Sequence, residues 1–253
     1  MKKLIAFSLL LALVLSGCGT AEEPSPPPES GTPVPSQMAS PEVSASPSET
    51  QPEPPVGQSE TSGSSSDRSG GVLIAYFSIP EDVDPAGMDA VSRASIVVRN
   101  GETLGNTQYV AQIIQETIGG DLFAIETVQQ YPLDHDPLVD QASDEKAANA
   151  RPELASHIEN LDQFDTILLG YPNWWADLPM PLYTFLEEYD LSGKTIIPFV
   201  THGGSRASRT AETIAQLQPN ATVWSDPLVL SRNDVAGSTD QVTAWAESLN
   251  LNK

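Results

Sequence analysis

Short apolar runs alternate with segments of helical periodicity over the larger, second part of the chain. The apolar runs, each of strand length, lie at 72–77, 122–128, 165–171, 195–200 and 222–230. The segments that carry apolar residues at helical spacing lie at 107–120, 179–189, 207–217 and 234–249. The alternation predicts an α/β fold, in which a doubly wound, five-stranded parallel sheet is covered by helices on both faces.

Three loops of this predicted domain are the places where a ligand site is expected. Ligands of doubly wound sheets bind beyond the carboxyl ends of the strands, near the point where the strand order reverses. The loops that matter are therefore those that follow Phe77, Tyr171 and Val200. Their side chains should meet at one edge of the sheet.

The first loop is long, because residues 79–104 separate Ser78 from the helix that opens with the sequence GNT at 105–107. Backbone N–H groups and the dipole at a helix N-terminus favour a phosphate group. Asn106 and Thr107 could equally serve as ordinary capping residues of a surface helix. The loop alone leaves both interpretations open.

The second half of that long segment has its own pattern. Residues 95–104 read SIVVRNGETL, and the Asn100-Gly101 pair between two apolar stretches predicts a β-hairpin. Such a hairpin should lie beside the first loop or at the entrance to the site.

The second loop lies in the stretch GYPNWWADLP at 170–179, which contains two of the chain's four tryptophans. Pro172 and Asn173 should turn the chain at the end of the strand. Trp174 and Trp175 then offer a flat aromatic surface for a planar ligand. The alternative is that one of the two packs on the adjacent helix as a hydrophobic lid.

The third loop reads THGGSRAS at 201–208. Its glycines, Gly203 and Gly204, allow the backbone to approach a ligand closely. Hydrogen-bonding groups come from the neighbouring residues, which are Thr201, His202 and Ser205. Because no nucleophile motif of the G-x-S-x-G kind occurs, His202 is expected to hydrogen-bond or cover a ligand rather than act as a catalytic base. The nearby Arg206 and Arg209 are expected at the surface.

The N-terminal part of the chain has a different character. A short basic region and an apolar stretch predict a signal peptide over residues 1–17, too short to span a bilayer. The residues leading to Cys18 resemble the lipobox of bacterial lipoproteins, which implies that Cys18 is lipidated. Residues 18–70 are rich in Pro, Ser and Glu and should form a disordered tether that leads to a domain over 71–253. The expected location is the extracytoplasmic side of a membrane.

Charge and cysteine content narrow the classes of function. The net charge of −22 excludes a general nucleic-acid binder, because neutralising phosphates needs clustered Lys and Arg. Cys18 is the only cysteine, so the chain has no internal disulfide.

The candidate metal ligands of the sequence are weak. The acidic half of 79–104 lacks the spacing of a calcium loop, and the DHD at 134–136 and His157 are expected to be solvated. No metal site is predicted.

The three loops together resemble those of the flavodoxin-like FMN-binding proteins, in a branch that includes bacterial lipoproteins. The resemblance covers residues 71–253 and rests on VLIAYFS (72–78), GNT (105–107), GYPNWW (170–175) and THGGS (201–205). It implies the strand order 2-1-3-4-5 and FMN as cofactor. The phosphate would lie at Ser78, Asn106 and Thr107. The isoalloxazine would lie between the second loop, with Pro172, Asn173, Trp174 and Trp175, and the third, with Thr201, His202, Gly203, Gly204 and Ser205.

The sequence departs from the family pattern at two points. The phosphate loop is split by the hairpin-containing segment 79–104, and the third loop has no Tyr or Trp to cover the flavin. His202 or the hairpin is expected to take that covering role.

Three functions remain open from sequence. The first is an electron carrier that exchanges electrons with redox partner proteins or a small-molecule acceptor. The second is an NAD(P)H-dependent quinone or nitro reductase on the same scaffold, and the third is a binding module without redox activity. The absence of a G-x-G-x-x-G dinucleotide motif favours the carrier.

Overall fold

The structure is a computed structural model and describes residues 70–82 and 95–251. Its strands are β1 (Gly71–Tyr76), β2 (Ile96–Arg99), β3 (Glu102–Gly105), β4 (Asp121–Ala124), β5 (Phe164–Asn173), β6 (Thr195–His202), β7 (Thr222–Val223) and β8 (Leu228–Ser231). Its α-helices are α1 (Asn106–Ile118), α2 (His135–Ala147), α3 (Met180–Glu188), α4 (Thr210–Leu217) and α5 (Thr239–Ser248). Short 3₁₀ turns occupy Leu161–Gln163 and Val235–Gly237.

Several of the sequence predictions concern segments outside the described residues. They are the signal peptide at 1–17, the lipidated Cys18 and nearly all of the tether at 18–70. Within the described residues, none of the helices combines the length and the apolar character needed to cross a membrane.

The central sheet is entirely parallel and has the predicted order. Across the sheet the strands run β4, β1, β5 and β6, and both β7 and β8 pair with β6 on its far side. Numbered along the chain, the five positions follow the order 2-1-3-4-5. The fifth position is split into two strands around Ser225, Asp226 and Pro227, because proline cannot donate the ladder hydrogen bond that a continuous strand would need.

Side chains alternate between the two faces of the sheet and join two separate cores. Leu73 of β1 and Phe77, which directly follows β1, belong to one core with Phe185 of α3 and Ile214 of α4. Ile74 points the other way and packs with residues of α1 and α5, among them Ile113, Ile114, Val242 and Ala246. The sheet is therefore buried on both faces, as the uninterrupted apolar runs predict.

The predicted hairpin at 95–104 is present as β2 and β3. Asn100 and Gly101 both have positive φ, 54° and 85°, which suits a tight two-residue turn. Arg99 fixes the hairpin to α1, because its guanidinium donates two hydrogen bonds of 2.8 and 3.0 Å to the carboxylate of Glu116. The hairpin runs directly into the N-terminus of α1.

Helix α2 was not predicted from the sequence. Only Leu138 and Ala142 are buried along its length, so the apolar periodicity is too weak to reveal it. Pro137, at its third position, is compatible with a first helical turn, where the missing N–H has no intrahelical partner. The inner side of α2 faces the carboxyl edge of the sheet, where the cavity described below lies.

Candidate functional site

One cavity of about 280 Å³ lies at the carboxyl ends of β5 and β6, between the N-terminus of α1 and the side of α2. It brings together nine of the residues that the sequence singles out, namely Asn106, Pro172, Asn173, Trp174, Trp175, Thr201, His202, Gly203 and Ser205. The three loops therefore do meet at one edge of the sheet. The volume is near the lower end of the range of roughly 300–1,000 Å³ that is usual for small-molecule sites.

The other three predicted site residues lie close to this cavity but not on its wall. Ser78 and Thr107 line a smaller space of about 20 Å³, which shares Asn106, Trp174 and Thr201 with the cavity. Gly204 lines neither space.

The N-terminus of α1 has Ser78 packed against it. A Cβ atom on Gly105 would lie 2.2 Å from the Ser78 hydroxyl oxygen, so a larger residue there would force that hydroxyl to move. The backbone N–H of Asn106 donates to the Ser95 carbonyl at 2.9 Å. That N–H is consequently used by the hairpin, and it is not available to a phosphate.

The side chain of Asn106 is the most unusual polar group of the site. It is 2% exposed, and neither its amide nitrogen nor its amide oxygen has a hydrogen-bond partner. Leaving buried polar atoms unpaired costs about 1–3 kcal/mol for each group. Because Asn106 lines the cavity, a polar ligand bound there could pair with the amide and remove this cost.

Thr107 and Thr201 connect the first and third loops. Their Oγ1 atoms are 2.8 Å apart, and both residues are buried. Each hydroxyl can make further hydrogen bonds as an acceptor. The pair fixes the first turn of α1 to the carboxyl end of β6.

The second loop makes a tight and strained turn between Trp174 and Asp177, here called the tryptophan turn. Trp174 and Asp177 exchange backbone hydrogen bonds of 3.2 and 3.0 Å, and the two residues between them, Trp175 and Ala176, have φ of 53° and 60°. Both have a Cβ atom, and the left-handed conformation costs such residues roughly 1–2 kcal/mol each. Strain of this kind persists where a loop is held for binding.

The two tryptophans have different surroundings. The indole of Trp174 meets the rings of Phe77 and Tyr131 edge-on, with centroids 5.3 and 5.6 Å apart, so it packs on the core as well as lining the cavity. Trp175 is 52% exposed, and its indole N–H donates to the Val139 carbonyl on α2 at 3.2 Å. Both tryptophans border the cavity, and one of them is also part of the core.

Lys146 links α2 to the second loop. Lys146 Nζ donates to the Trp175 carbonyl at 2.6 Å and lies 3.4 Å from the Asp177 carboxylate. Helix α2 and the tryptophan turn thus form one wall of the cavity.

Asn173 joins the second loop to the third. Its Nδ2 donates to the Arg206 carbonyl at 2.8 Å and to the Ser208 hydroxyl at 2.9 Å. Its Oδ1 is buried without a partner and belongs to a residue that lines the cavity. This oxygen is a second acceptor that a ligand N–H could satisfy.

His202 is held in one tautomer by its own loop. Its Nδ1 accepts a hydrogen bond from the backbone N–H of Gly204 at 3.0 Å, which leaves the hydrogen of the neutral ring on Nε2. Burial lowers the pKa of His202 below its ordinary value, and the positive charge of the exposed Arg206 lowers it further. At neutral pH the ring is an uncharged hydrogen-bond donor.

Sequence reasoning missed three polar residues that line the cavity: Glu81, Ser95 and Arg232. His135, which belongs to the DHD expected to be solvated, also lines the cavity, with its Nδ1 3.0 Å from Glu81 Oε2. Arg232 follows β8, at the same edge of the sheet, and its guanidinium lies about 3.3 Å from where a Cβ of Gly203 would be. The end of the fifth strand was the one signal that could have pointed to it. Glu81 and His135 are 54 residues apart, and no local pattern connects them.

The described residues contain no group of three or more His, Cys, Asp or Glu side chains placed to hold a metal ion. His157, one of the candidates considered from the sequence, instead pairs with Glu188 at 2.7 Å on the surface.

The sequence matches one protein family over more than half of the chain. Residues 95–249 fit the family model described as Flavodoxin. No protein of curated function matches the chain.

Solved structures of flavoproteins share the fold. A proposed flavoprotein from Bacteroides eggerthii DSM 20697 is 27% identical over 71% of this chain and 97% of that chain, with a TM-score of 0.53. One from Bacteroides uniformis ATCC 8492 is also 27% identical, over 70% of this chain and 98% of that chain, with a TM-score of 0.53. A flavoprotein from Lactobacillus acidophilus NCFM, solved in complex with FMN, is 18% identical over 69% of this chain and 99% of that chain, with a TM-score of 0.45.

Proposed function

The chain belongs to the flavodoxin family, and on that basis we propose that it is an FMN-dependent electron carrier tethered to the outer side of a membrane. Flavodoxins bind FMN, so FMN is the cofactor of this chain.

The residues of the cavity fit FMN. The observation that supports this most directly is the Asn106 amide, which is buried in the cavity wall with both polar atoms unpaired. A hydrogen-bonding ligand removes that penalty, whereas an apolar ligand would not. The aromatic faces of Trp174 and Trp175 and the apolar Leu138 suit the planar ring system of a flavin.

Each loop has a separate part in holding the cofactor. Ser78, which packs beside the N-terminus of α1, and Asn106 and Thr107 in its first turn would hold the phosphate. They would do so through the two hydroxyl groups and the Asn106 side-chain amide, without a lysine or arginine. The two tryptophans would form one wall of the ring site. On the opposite side, in the third loop, His202 is a neutral Nε2–H donor. Asn173, next to the tryptophans in the second loop, offers its unpaired Oδ1.

FMN supplies the chemistry, since it accepts and releases electrons one or two at a time. The protein binds it, orients it and excludes water. The acidic chain, with a net charge of −22, disfavours negative charge on the cofactor and should lower the potential of the last electron step. Within the described residues, Arg232 is the one Arg or Lys side chain on the cavity wall, and it opposes this effect locally.

Stepwise anaerobic reduction of the FMN-loaded protein tests the carrier role. We expect the visible spectrum to change in two separate stages, because a one-electron carrier holds the cofactor at an intermediate level of reduction. A single two-electron stage, together with rapid reduction by NADH or NADPH, would overturn the carrier role in favour of a reductase. Failure to retain FMN would overturn the flavoprotein itself.

The tether in this proposal is the N-terminal part of the chain. Residues 1–17 direct export, Cys18 carries the lipid, and the Pro- and Ser-rich residues 18–70 hold the domain away from the bilayer. Expression of the full chain and of Cys18→Ser in a bacterium fed labelled palmitate tests it. The label and the membrane-bound fraction should both be lost in Cys18→Ser. A wild-type chain that takes up no label would contradict the lipid anchor.

A further inference from the structure

A buried carboxyl group lies at the place assigned above to the FMN phosphate. Glu81 is 3% exposed and lines both the cavity and the smaller space that Ser78, Asn106 and Thr107 border. Among the described residues, Glu81 is the only ionisable side chain that lines the smaller space. A carboxyl group is rarely buried this deeply without a specific partner.

The carboxyl group of Glu81 is fixed between the hairpin and α2. Its Oε1 accepts the Ser95 N–H at 3.1 Å, and the Ser95 carbonyl accepts the Asn106 N–H at 2.9 Å. Two consecutive hydrogen bonds therefore connect Glu81 to the N-terminus of α1. The other carboxylate oxygen, Oε2, lies 3.0 Å from Nδ1 of His135, the first residue of α2.

The position of Glu81 creates an electrostatic conflict with a phosphate group. A phosphate monoester carries about −1.5 to −2 charges at neutral pH. Like charges repel much more strongly at a buried site than in water. The hydroxyl groups of Ser78 and Thr107 and the amide of Asn106 carry no net charge that could offset this repulsion. A phosphate therefore binds well here only if the charge of Glu81 is neutralised.

His135 is a direct contact of Glu81 that can neutralise this charge. An ionised carboxylate only accepts hydrogen bonds, so Nδ1 of His135 carries the shared hydrogen, and a further proton on Nε2 makes the ring a cation. The His135 side chain is 28% exposed, so solvent can supply and remove that proton. With the proton, the pair has no net charge, and without it the pair has a net charge of about −1.

Other ionisable groups surround the pair on three sides. They are Asp82 of the first loop, Asp134 and Asp136 at the start of α2, His202 of the third loop and Arg232 after β8. The three aspartates are exposed, so solvent and salt screen their charges. His202 and Arg232 line the cavity but not the smaller space. The charge next to the phosphate therefore depends chiefly on Glu81 and His135.

We infer that the Glu81–His135 pair couples binding of the FMN phosphate to a proton, because the phosphate is held well only while the pair is neutral. The inference rests on the proposed FMN site and concerns binding of the cofactor rather than its redox chemistry. As the pH rises and the pair loses its proton, the affinity for FMN falls. Riboflavin, which has the same ring system without the phosphate, is bound without this dependence. At the outer side of a membrane, FMN loading would then follow the pH of the surroundings.

The first test compares two ligands that differ only in the phosphate. The FMN-free protein is titrated with FMN and with riboflavin between about pH 5 and about pH 8, where histidine side chains ordinarily change charge. The riboflavin Kd divided by the FMN Kd is the phosphate preference. Linkage to one proton lowers this preference by up to about tenfold per pH unit as the pH rises. The ionisation of the phosphate itself affects every variant alike, so the pH dependence of wild type is compared with that of Glu81→Gln.

The two variants of the pair should change the phosphate preference in opposite directions. Glu81→Gln removes the negative charge, so the preference should exceed that of wild type at the alkaline end and depend less on pH. His135→Asn leaves the carboxylate without its proton source, so the preference should fall at the acidic end toward the alkaline wild-type value. Glu188→Gln and His157→Asn are the matched controls, because they break a similar pair, with a contact of 2.7 Å, outside the cavity. Both controls should leave the preference unchanged.

Calorimetry counts the proton directly. Titrations at about pH 7.5, where free FMN is largely a dianion, are run in two buffers of different ionisation enthalpy. They give the number of protons taken up with each ligand. Wild type should take up more protons with FMN than with riboflavin, and this excess should be smaller in Glu81→Gln. An excess of the same size in both proteins would overturn the inference.

The outcomes separate this inference from the proposed function. A wild-type protein that binds no FMN at any of these pH values overturns both. If FMN binds and the phosphate preference has the same pH dependence in wild type and Glu81→Gln, the proton coupling is wrong while the flavoprotein stands. If Glu81→Gln fails to fold, His135→Asn decides the question, because a preference that does not fall at the acidic end contradicts the role of the pair.

Discussion

The hydroxyl groups of Thr107 and Thr201 are hydrogen-bonded at 2.8 Å, although 94 residues separate them in the chain. Thr107 lies in the first turn of α1, and Thr201 lies near the end of β6. The contact therefore joins the first and third loops beside the cavity, whose wall includes Thr201. Since both residues are buried, neither hydroxyl can exchange its partner for bulk water.

Replacing one member of this pair should cost stability, and replacing both should cost less than the sum. Thr201→Val leaves the Thr107 hydroxyl buried without its partner, so the free energy of unfolding should fall by about 1–3 kcal/mol. The double variant Thr107→Val/Thr201→Val removes both groups, which gives a coupling energy in a double-mutant cycle. Urea unfolding measures it. Thr103→Val, at an exposed site on β3, is the control. If the stability losses of Thr107→Val and Thr201→Val simply add in the double variant, the hydrogen bond between them is contradicted.

The tryptophan turn should be stabilised by glycine at one position. Ala176 has φ of 60°, so Ala176→Gly relieves left-handed strain and should raise the free energy of unfolding by up to about 1 kcal/mol. The same change at Ala215, an exposed site within α4, should lower it by about 0.5–1 kcal/mol. Thermal or urea unfolding of both variants gives the signs. A loss of stability in both would show that Ala176 is not strained.

The two tryptophans of the turn should differ in what their removal changes. Trp175→Ala should weaken FMN binding about tenfold, which corresponds to about 1.4 kcal/mol, with little change in stability because the side chain is half exposed. Trp174→Ala should weaken binding and also lower the free energy of unfolding by about 2 kcal/mol, because its indole packs on Phe77 and Tyr131.

Fluorescence titration with FMN and urea unfolding separate these two effects. Trp224→Phe is the matched control, since Trp224 is partly exposed and lies outside the cavity wall. Equal effects of Trp224→Phe and Trp175→Ala on FMN affinity would contradict the assigned site.

His202 should make the folded protein less stable at mildly acidic pH. Burial and Arg206 lower the pKa of His202 in the folded state, so the unfolded chain takes up the proton first as the pH falls. Stability is therefore lost as the pH falls through the ordinary histidine value of about 6.5. As the pH falls through this range, the unfolding free energy of the wild type should decrease relative to that of His202→Asn. Arg206→Gln should make the shift smaller, and a difference that is constant with pH would contradict the lowered pKa.

The sequence was sufficient for the parts of the fold whose pattern is local and strong. The run VLIAYF and the amphipathic α1 each show their burial directly in the order of residues, and the Asn100-Gly101 turn has a backbone requirement that few other pairs meet. Helix α2 has little buried apolar surface, so its position depends on tertiary contacts such as Trp175 with Val139.

The site also has parts that the sequence predicts and parts that it does not. The three loops were predictable because parallel strands bring their carboxyl ends to one edge, and the cavity contains most of the residues chosen on that basis. The Glu81–His135 pair was not predictable, because it depends on where α2 begins and on how the first loop folds back. Arg232 was not predictable either. It follows β8, the second segment of the fifth strand, and the sequence shows that strand as one continuous apolar run.

The most direct test of the account is a titration of the purified protein with FMN, beside Asn106→Ala and the exposed control Asn160→Ala. The account predicts that wild type and Asn160→Ala bind one FMN per chain and quench its fluorescence, and that Asn106→Ala binds it more weakly because the ligand loses the buried amide as a partner. A wild-type protein that leaves the spectrum and fluorescence of added FMN unchanged would contradict the central claim.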